Sequence, residues 1–449
     1  MTQALLEGSP ALLTDLYQLT MLQAYFREGL RGEAVFSLFF RKLPARRNFA
    51  LACGVDAALS ALESLRFSAH DLEALGRLRL LGSDCLAELR ELRFTGDVFA
   101  LPEGTPVFPG EPLLEVVAPL PEAQLAESLL MNQVHLETVL ASKAARVVAA
   151  ARGRPVVDFA LRRMHGCDAA LRGARAFYLA GVESTSHVLA GLRYGIPLAG
   201  TMAHSYIQAH ASEAAAFRAF AALYPETILL VDTYDTLAGV RAVAALAREL
   251  GDAFRVRGVR LDSGDLGALA AESRRILDAA GLAHVQIFAS GDLDEDRIAA
   301  LLEQDAPIDA FGVGTRMGVS ADAPSLDLAY KLTAYAGEGR LKTSAGKAVL
   351  PGRKQVFRVE EDGVARRDVL AREGERGPGR PLLVPVMRRG RRVGPGAEGV
   401  AEGRRRAREE IARLPERVRA LAPADPPYPV EVSAALSEYA ASVRERVSR

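Results

Sequence analysis

The 449-residue chain, 49% apolar, is long enough to bury more than one core and points to two or three domains. Fifty-six Lys plus Arg balance fifty-six Asp plus Glu, so no net field draws the molecule to nucleic acid, an anionic membrane or an acidic partner; any anionic ligand has to be held by local groups. Three cysteines, Cys53, Cys85 and Cys167, have no metal or redox spacing, which argues against a disulfide framework and makes them expected core residues in a reducing compartment.

The opening residues, MTQALLEGSPALLTDLYQLT, lack a basic start followed by a long apolar run. No later stretch reaches the roughly eighteen uncharged apolar residues of a membrane span, so no membrane partner is expected and the cytoplasm is the default location. Residues 96–119, GDVFALPEGTPVFPGEPLLEVVAP, carry Gly and Pro between short apolar runs and read as a compact β module. A helical lead-in follows at 122–151. From 155 to 314, short β-rich runs alternate with longer helical ones, the pattern of parallel strands joined by crossover helices. Strands are predicted at 155–159, 196–200, 227–231, 256–261, 285–289 and 308–313. In the helix after VDTYDT, Thr236 is placed to cap the start and Gly251 to end it, while Gly195 closes the preceding helix. Six such units favour a barrel, complete or irregular, over an open sheet.

Residues 340–380 return to short strands and turns. The run VMRRGRRVGPGAEGVAEGRRRARE is interrupted by Gly, Pro and Glu and lacks interleaved aromatics, so it reads as a solvated face or linker and not as a nucleic-acid arm. The expected architecture is therefore α/β: an irregular β/α barrel within 121–335, and a flanking α+β domain built from residues 1–120 and from 336–449 with its helical, Arg-rich tail. There is no solenoid repeat and no Walker, Rossmann or zinc pattern.

Nearly every polar cluster of the βα region sits immediately after a predicted strand, which in a parallel barrel is the catalytic face. In VDFALRR, Phe159 can stack a flat ligand while Arg162 and Arg163 neutralise its anionic part; a core Phe with two surface arginines is the plainer reading. In AGTMAHS, Thr201 and His204 follow a strand ending at Gly200, and a neutral imidazole there can exchange protons or accept a phosphoryl group. His210 reads as structural. In VDTYDT, Asp232 or Asp235 can orient His204, hold a magnesium-bound phosphate or cap a helix, with orientation assigned to Asp232. In VRLDSGDL, Arg260 can clamp a carboxylate, Asp262 can accept ribose hydroxyl protons, and Ser263 with Gly264 brings backbone donors close. In FASGDLDED and FGVGTRM, Gly291 and Gly314 let backbone N–H groups approach a phosphate, with Ser290 and Thr315 adding hydroxyls. Together they imply a ligand with a phosphate, a polyhydroxylated sugar and a flat anionic ring.

At this point the chain resembles the nicotinate phosphoribosyltransferases. LLTDLYQLTM, AGTMAHS, VRLDSGDL, FGVGT, PSLDLAYKL and LPGRKQVFR fall in that family's order over more than 300 residues. The resemblance implies an irregular β/α barrel with a flanking domain and a homodimer whose sites take residues from both subunits. It further implies synthesis of nicotinate mononucleotide from nicotinate and 5-phosphoribosyl 1-pyrophosphate, coupled to ATP hydrolysis through a phosphohistidine at His204. By the same match Tyr17, Thr201 and Arg260 contact nicotinate, Thr315 binds the phosphoribosyl substrate, and Arg41 in FFRKLP lies where similar enzymes place a cation on phosphates. Mg²⁺ is implied on the leaving pyrophosphate, with Asp262 and Asp232 as the nearby carboxylates.

The related nicotinamide enzyme carries an Asp where VESTSHVLAG has His187; its absence favours an acid substrate, because an Asp would repel a carboxylate. Phe159 pulls the other way, resembling the stacking Phe of the nicotinamide branch. Competing readings are a nicotinamide phosphoribosyltransferase, a quinolinate enzyme, which would call for more convergent cations, and a catalytically inactive barrel acting as a binding or regulatory protein.

Overall fold

A computed structural model describes residues 10–343 and 349–448. The expectation of no N-terminal leader falls partly on residues outside these. The chain divides into two units, Met1–Ser142 with Ser325–Arg449, and Lys143–Pro324. Among the described residues, no helix is long and apolar enough to cross a membrane.

The first unit is built on a seven-stranded antiparallel sheet in the order Glu338–Gly339, Leu328–Tyr335, Glu33–Phe40, Pro112–Pro119, Asp97–Ala100, Val384–Arg388, Arg391–Arg392. Its third strand, EAVFSLFF, is buried on both faces after its first residue, which is why its one polar group beyond that residue, Ser37, needs a partner. Ser37 donates to Glu115 at 2.6 Å, and Glu115 in turn faces the Lys354 ammonium at 3.1 Å. Within residues 96–119, Asp97–Ala100 and Pro112–Pro119 pair with each other inside this sheet, and Pro106–Val107 pairs with Ala50–Leu51. The Arg-rich run, expected as a solvated face or linker, also sends strands into the sheet. Met387 is fully buried in the sheet, and Arg392 is anchored on Asp56 at 2.6 Å and Glu63 at 2.9 Å. Arg388, Arg389 and Arg391 are exposed, as are Arg405 and Arg408 on the helix Val400–Arg413, where Arg405 pairs with Glu402 and Glu409. Cys53 and Cys85 are buried as expected, whereas Cys167, at the start of a helix, is exposed.

The second unit carries six parallel strands: β1 (Val156–Asp158), β2 (Ser184–Thr185), β3 (Ile228–Leu230), β4 (Gly258–Leu261), β5 (Gln286–Ala289) and β6 (Ala310–Val313). They lie in the order β2-β1-β6-β5-β4-β3 and form a curled half-barrel. Except for the two-residue β2, the strands are three or four mostly apolar and mostly buried residues, as expected where helices cover a parallel sheet. The connecting helices are α1 (Cys167–Leu179), α2 (Val188–Tyr194), α3 (His204–Gln208), α4 (Glu213–Leu223), α5 (Thr236–Leu250), α6 (Leu266–Ala279), α7 (Glu295–Glu303) and α8 (Thr315–Gly318).

The expected strand at 196–200 shrinks to one bridge, Leu198 beside Thr185. Pro197 has no N–H to give a further ladder and Leu198 is half exposed, so this segment ends the sheet instead of closing it. The short polar β2, unpredicted, takes the position beside β1. Gly195 closes α2 in a left-handed conformation, and α5 is capped by Asp235, whose carboxylate accepts from Ala238 N–H at 2.7 Å, and not by Thr236, its first helical residue.

A buried ionic cluster fastens α7. Glu295, its first residue, accepts from Lys143 at 2.5 Å and Arg146 at 3.0 Å, while Lys143 also reaches Asp322 at 2.8 Å. Burial alone would raise the Glu295 carboxyl, yet the two cations hold it below its ordinary range. Lys143→Met, which leaves Glu295 buried with one cation fewer, is expected to cost about 3 kcal/mol, read as a lowered midpoint in urea unfolding.

Candidate functional site

Parallel strands carry their C-terminal ends to one rim, and the polar loops follow those ends. Three of the loops share a division of labour. Asp235, Asp265 and Asp294 cap α5, α6 and α7, accepting from backbone N–H groups three residues on at 2.7, 3.1 and 3.0 Å. The first aspartate of the VDTYDT and LDSGDL loops is thereby left to face the rim.

Asp232, after β3, bridges to the loop after β4: its Oδ2 accepts from Asp262 N–H at 3.0 Å and from the Ser263 hydroxyl at 2.7 Å. Its Oδ1 is buried without a partner among the described residues. Asp262 links onward, accepting from the Ser290 hydroxyl at 2.5 Å. Gly291 lies directly against this junction with φ +92°, and an added Cβ would fall 1.8 Å from the Asp262 carbonyl oxygen. Its conformation and the close approach both demand glycine. The hydroxyls of Ser263 and Ser290 thus brace the loops. Gly264, also in the left-handed region at φ +82°, turns the chain before α6.

Arg260, on β4, is the cation of the rim. Its Nη1 donates to the Thr201 hydroxyl at 2.9 Å and Nη2 to the Met202 carbonyl at 3.3 Å, while Nε is buried with no partner among the described residues. The guanidinium lies 5.8 Å from the centre of the Phe159 ring, and Phe159 packs against Phe288 at 6.0 Å. Burial lowers the proton affinity of Arg260, with Asp262 and Asp232 opposing and Arg162 adding to the effect. Gly314 sits with its Cα beside the Phe159 carbonyl, where a Cβ would lie at 3.3 Å.

His204 opens α3, two residues beyond the Met202 carbonyl that Arg260 holds, so both groups occupy one rim. Its Nδ1 meets the Thr233 hydroxyl at 3.1 Å. The expected partner, Asp232, is instead committed to the neighbouring loop, so Thr233 orients the ring. Arg162 and Thr315 are exposed. His210 keeps a local role, its Nδ1 on the Tyr206 carbonyl at 2.8 Å.

Tyr17 and Arg41 belong to the other unit. Tyr17 is half exposed, and burial, Glu127 and Asp15 push its phenol up to about 12. Arg41 pairs with Asp327 at 3.2 Å. Sequence reasoning missed three groups at the rim. Thr233 stood between two more conspicuous aspartates. Asp158, buried at the end of β1, accepts from Thr185 at 2.7 Å and Ala160 N–H at 2.8 Å, and burial raises it to about 6. Glu213, first residue of α4, carries a buried Oε1 with no partner among the described residues.

A half-barrel whose C-terminal rim joins an aromatic ring, a guanidinium, an imidazole and bridged carboxylates is the arrangement of an α/β enzyme. Comparison with known proteins gives the particular family. Residues 12–135 match the model of the nicotinate phosphoribosyltransferase N-terminal domain, and residues 155–360 match that of the nicotinate phosphoribosyltransferase family. A nicotinate phosphoribosyltransferase of Mycobacterium tuberculosis is 56% identical over 94% of this chain and 91% of its own. One from Bacillus subtilis is 41% identical, covering 79% and 74% respectively. The crystal structure of human nicotinic acid phosphoribosyltransferase superposes with a TM-score of 0.84 at 31% identity, covering 96% of this chain and 99% of that one. The chain belongs to the nicotinate phosphoribosyltransferase family.

Gly291→Ala is expected to destabilise the fold by about 2 kcal/mol or more, from the strained φ and the clash with the Asp262 carbonyl. Thermal unfolding of the two proteins side by side measures it.

Proposed function

We propose that this chain transfers the phosphoribosyl group of 5-phosphoribosyl 1-pyrophosphate to nicotinate, giving nicotinate mononucleotide and pyrophosphate, with ATP hydrolysis coupled through phosphorylation of His204. The observation that carries the reading is Arg260: a guanidinium beside the Phe159 ring, joined to Thr201 and with its Nε unsatisfied. That pair suits a flat ring bearing a carboxylate, the ring against Phe159 and the carboxylate on the cation. His187 supports the acid over the amide, since burial lowers its proton affinity and leaves a neutral ring where an aspartate would repel nicotinate.

The reaction passes through a cationic ribosyl centre as the pyridine nitrogen attacks C1 and the bond to pyrophosphate breaks. Asp262 is the carboxylate offered to the ribose hydroxyls and to that developing charge. The loops around Gly264, Ser290–Gly291 and Gly314–Thr315, with Arg162, are the proposed phosphate contacts, and the exposure of Arg162 and Thr315 leaves them available to a ligand. Mg²⁺ would supply charge neutralisation to the leaving pyrophosphate. Among the described residues no three carboxylate, thiol or imidazole groups converge at this rim, since the one such cluster, Cys53 with Glu103 and Glu137, belongs to the other unit. The ion fits here only as one carried on pyrophosphate oxygens and water, as Mg²⁺ commonly is.

For His204, the tautomer with Nδ1–H donating to the Thr233 oxygen presents the Nε2 lone pair. In the proposed step Nε2 bonds to the γ-phosphorus of ATP as the bond to the ADP oxygen breaks, and water later accepts the phosphoryl group. A homodimer with residues of both copies at each site is part of this reading. It is supported by an exposed apolar set on α2, Val188, Leu189 and Leu192, the last 76% exposed. Tyr17 and Arg41 complete the proposed nicotinate and phosphate contacts.

Offering nicotinate, nicotinamide and quinolinate separately, with and without ATP, and identifying the mononucleotide formed tests the reading directly; turnover only with nicotinamide or quinolinate would refute it. His204→Ala is expected to abolish the ATP stimulation while leaving the circular dichroism spectrum intact. Arg260→Ala is expected to raise the Michaelis constant for nicotinate about tenfold or more, the loss of a charged hydrogen-bonding partner; an unchanged constant removes Arg260 from the ring site.

A further inference from the structure

The parallel sheet runs β2-β1-β6-β5-β4-β3, so β2 and β3 are its two edges. One segment, residues 197–202, is held from both sides of the opening between them. At its start Thr185 of β2 grips it, donating its N–H to the Pro197 carbonyl and accepting from Ala199 N–H, both at 3.0 Å. At its end Thr201 and Met202 receive the Arg260 guanidinium, which comes from β4, the strand beside β3. A short stretch of chain and one side chain thus do what strand pairing would do in a closed barrel.

The Thr185 hydroxyl ties the same residue to β1. It donates to Asp158 Oδ2 at 2.7 Å and accepts from His187 N–H at 3.0 Å. Asp158 Oδ1 accepts from Ala160 N–H at 2.8 Å, so the carboxylate spans the backbone of Phe159, the residue between. The Phe159 ring in turn faces Arg260, its centre 5.8 Å from the guanidinium. The contacts close a circuit: Phe159, Asp158, Thr185, the 197–202 segment, Arg260 and Phe159 again. Asp158 and Thr185 are 2% and 1% exposed. Enclosed, and with both oxygens engaged, Asp158 acts on its neighbours and not on a ligand. A hydroxyl, which donates and accepts through one atom, can stand between a carboxylate and a backbone N–H; a valine of the same shape can do neither.

We infer that Thr185 is a positioning residue for the ring site: its hydroxyl locks the turn at Phe159 to the segment that carries Thr201, and so sets the gap between the aromatic face and the Arg260 guanidinium. The inference rests on the role proposed for Arg260.

The test is steady-state kinetics of the unaltered enzyme, Thr185→Val, Thr185→Ser, Asp158→Asn and Arg260→Ala, with Thr185→Val and Arg260→Ala also combined in one chain. Thr185→Val is expected to raise the Michaelis constant for nicotinate about fivefold, the worth of one misplaced hydrogen bond. Its kcat and its Michaelis constant for 5-phosphoribosyl 1-pyrophosphate are expected to stay within about twofold. A residue that only held the edge strand would instead lower the active fraction, and with it kcat, at an unchanged Michaelis constant. Thr185→Ser, which keeps the hydroxyl, is expected to hold the nicotinate constant within about twofold of the unaltered value. Because the effect runs through Arg260, the combined variant is expected to match Arg260→Ala alone. Asp158→Asn, which cannot accept from both of its neighbours, is expected to reproduce the nicotinate effect, and it decides the matter if Thr185→Val does not fold. An unchanged nicotinate constant in the deciding variant overturns the inference, as does a Thr185→Ser variant as impaired as Thr185→Val, or two losses that multiply in the combined variant. An unaltered nicotinate constant in Arg260→Ala instead refutes the role of Arg260 itself, so the two failures are told apart.

Discussion

One carboxylate oxygen ties the rim together. Asp232 Oδ2 accepts both the Asp262 N–H and the Ser263 hydroxyl, so the loops after β3 and β4 are joined through one side chain. Because Asp262 then takes the Ser290 hydroxyl and Gly291 lies on its carbonyl, the brace extends to the loop after β5. The sheet is only a half-barrel and has no closure to rigidify its mouth. Side-chain hydrogen bonds between consecutive loops supply the stiffness that complete strand pairing would otherwise give. Arg260 depends on this brace, since its guanidinium is aimed by Thr201 and Met202 on one side and by the fixed end of β4 on the other.

Enclosed charge is met by close pairing where the chain supplies a partner: Arg358 is fully enclosed and closes on Asp368, which also accepts from the Tyr428 hydroxyl at 3.0 Å. Such matching is what an enclosed ion requires. Polar atoms without a partner among the described residues occur in both units, Glu111 Oε1 and Arg353 Nε in the first, Arg260 Nε and Asp232 Oδ1 at the rim of the second. What distinguishes the rim is that its two lie on the loops and strand end that carry the aromatic ring and the imidazole.

Much of the rim was legible in the sequence because parallel strands leave a strong imprint: apolar runs such as ILL and QIFA followed at once by polar, glycine-bearing loops. The register of loops relative to one another was not. Asp232 and Thr233 are adjacent in sequence, yet one turns to β4 and the other to His204, and nothing in VDTYDT says which. The strand read at 196–200 failed because an apolar pattern does not register the missing N–H of Pro197. The polar Ser184–Thr185 was passed over although its backbone is what pairs with β1. The strand Val384–Arg388 that opens the Arg-rich run was not foreseen, because its partner, Asp97–Ala100, lies far earlier in the chain and leaves no local signal.

The repeated use of a capping aspartate has an evolutionary corollary. Asp235, Asp265 and Asp294 each fix the start of their helix through a purely local bond. The few residues between a strand end and its cap are thereby relieved of starting a helix and are spent on one another, Asp232 on the loop after β4 and Ser290 on Asp262. A change in one of these short segments is transmitted to the next, so a new substrate preference in proteins built this way calls for paired changes in neighbouring segments.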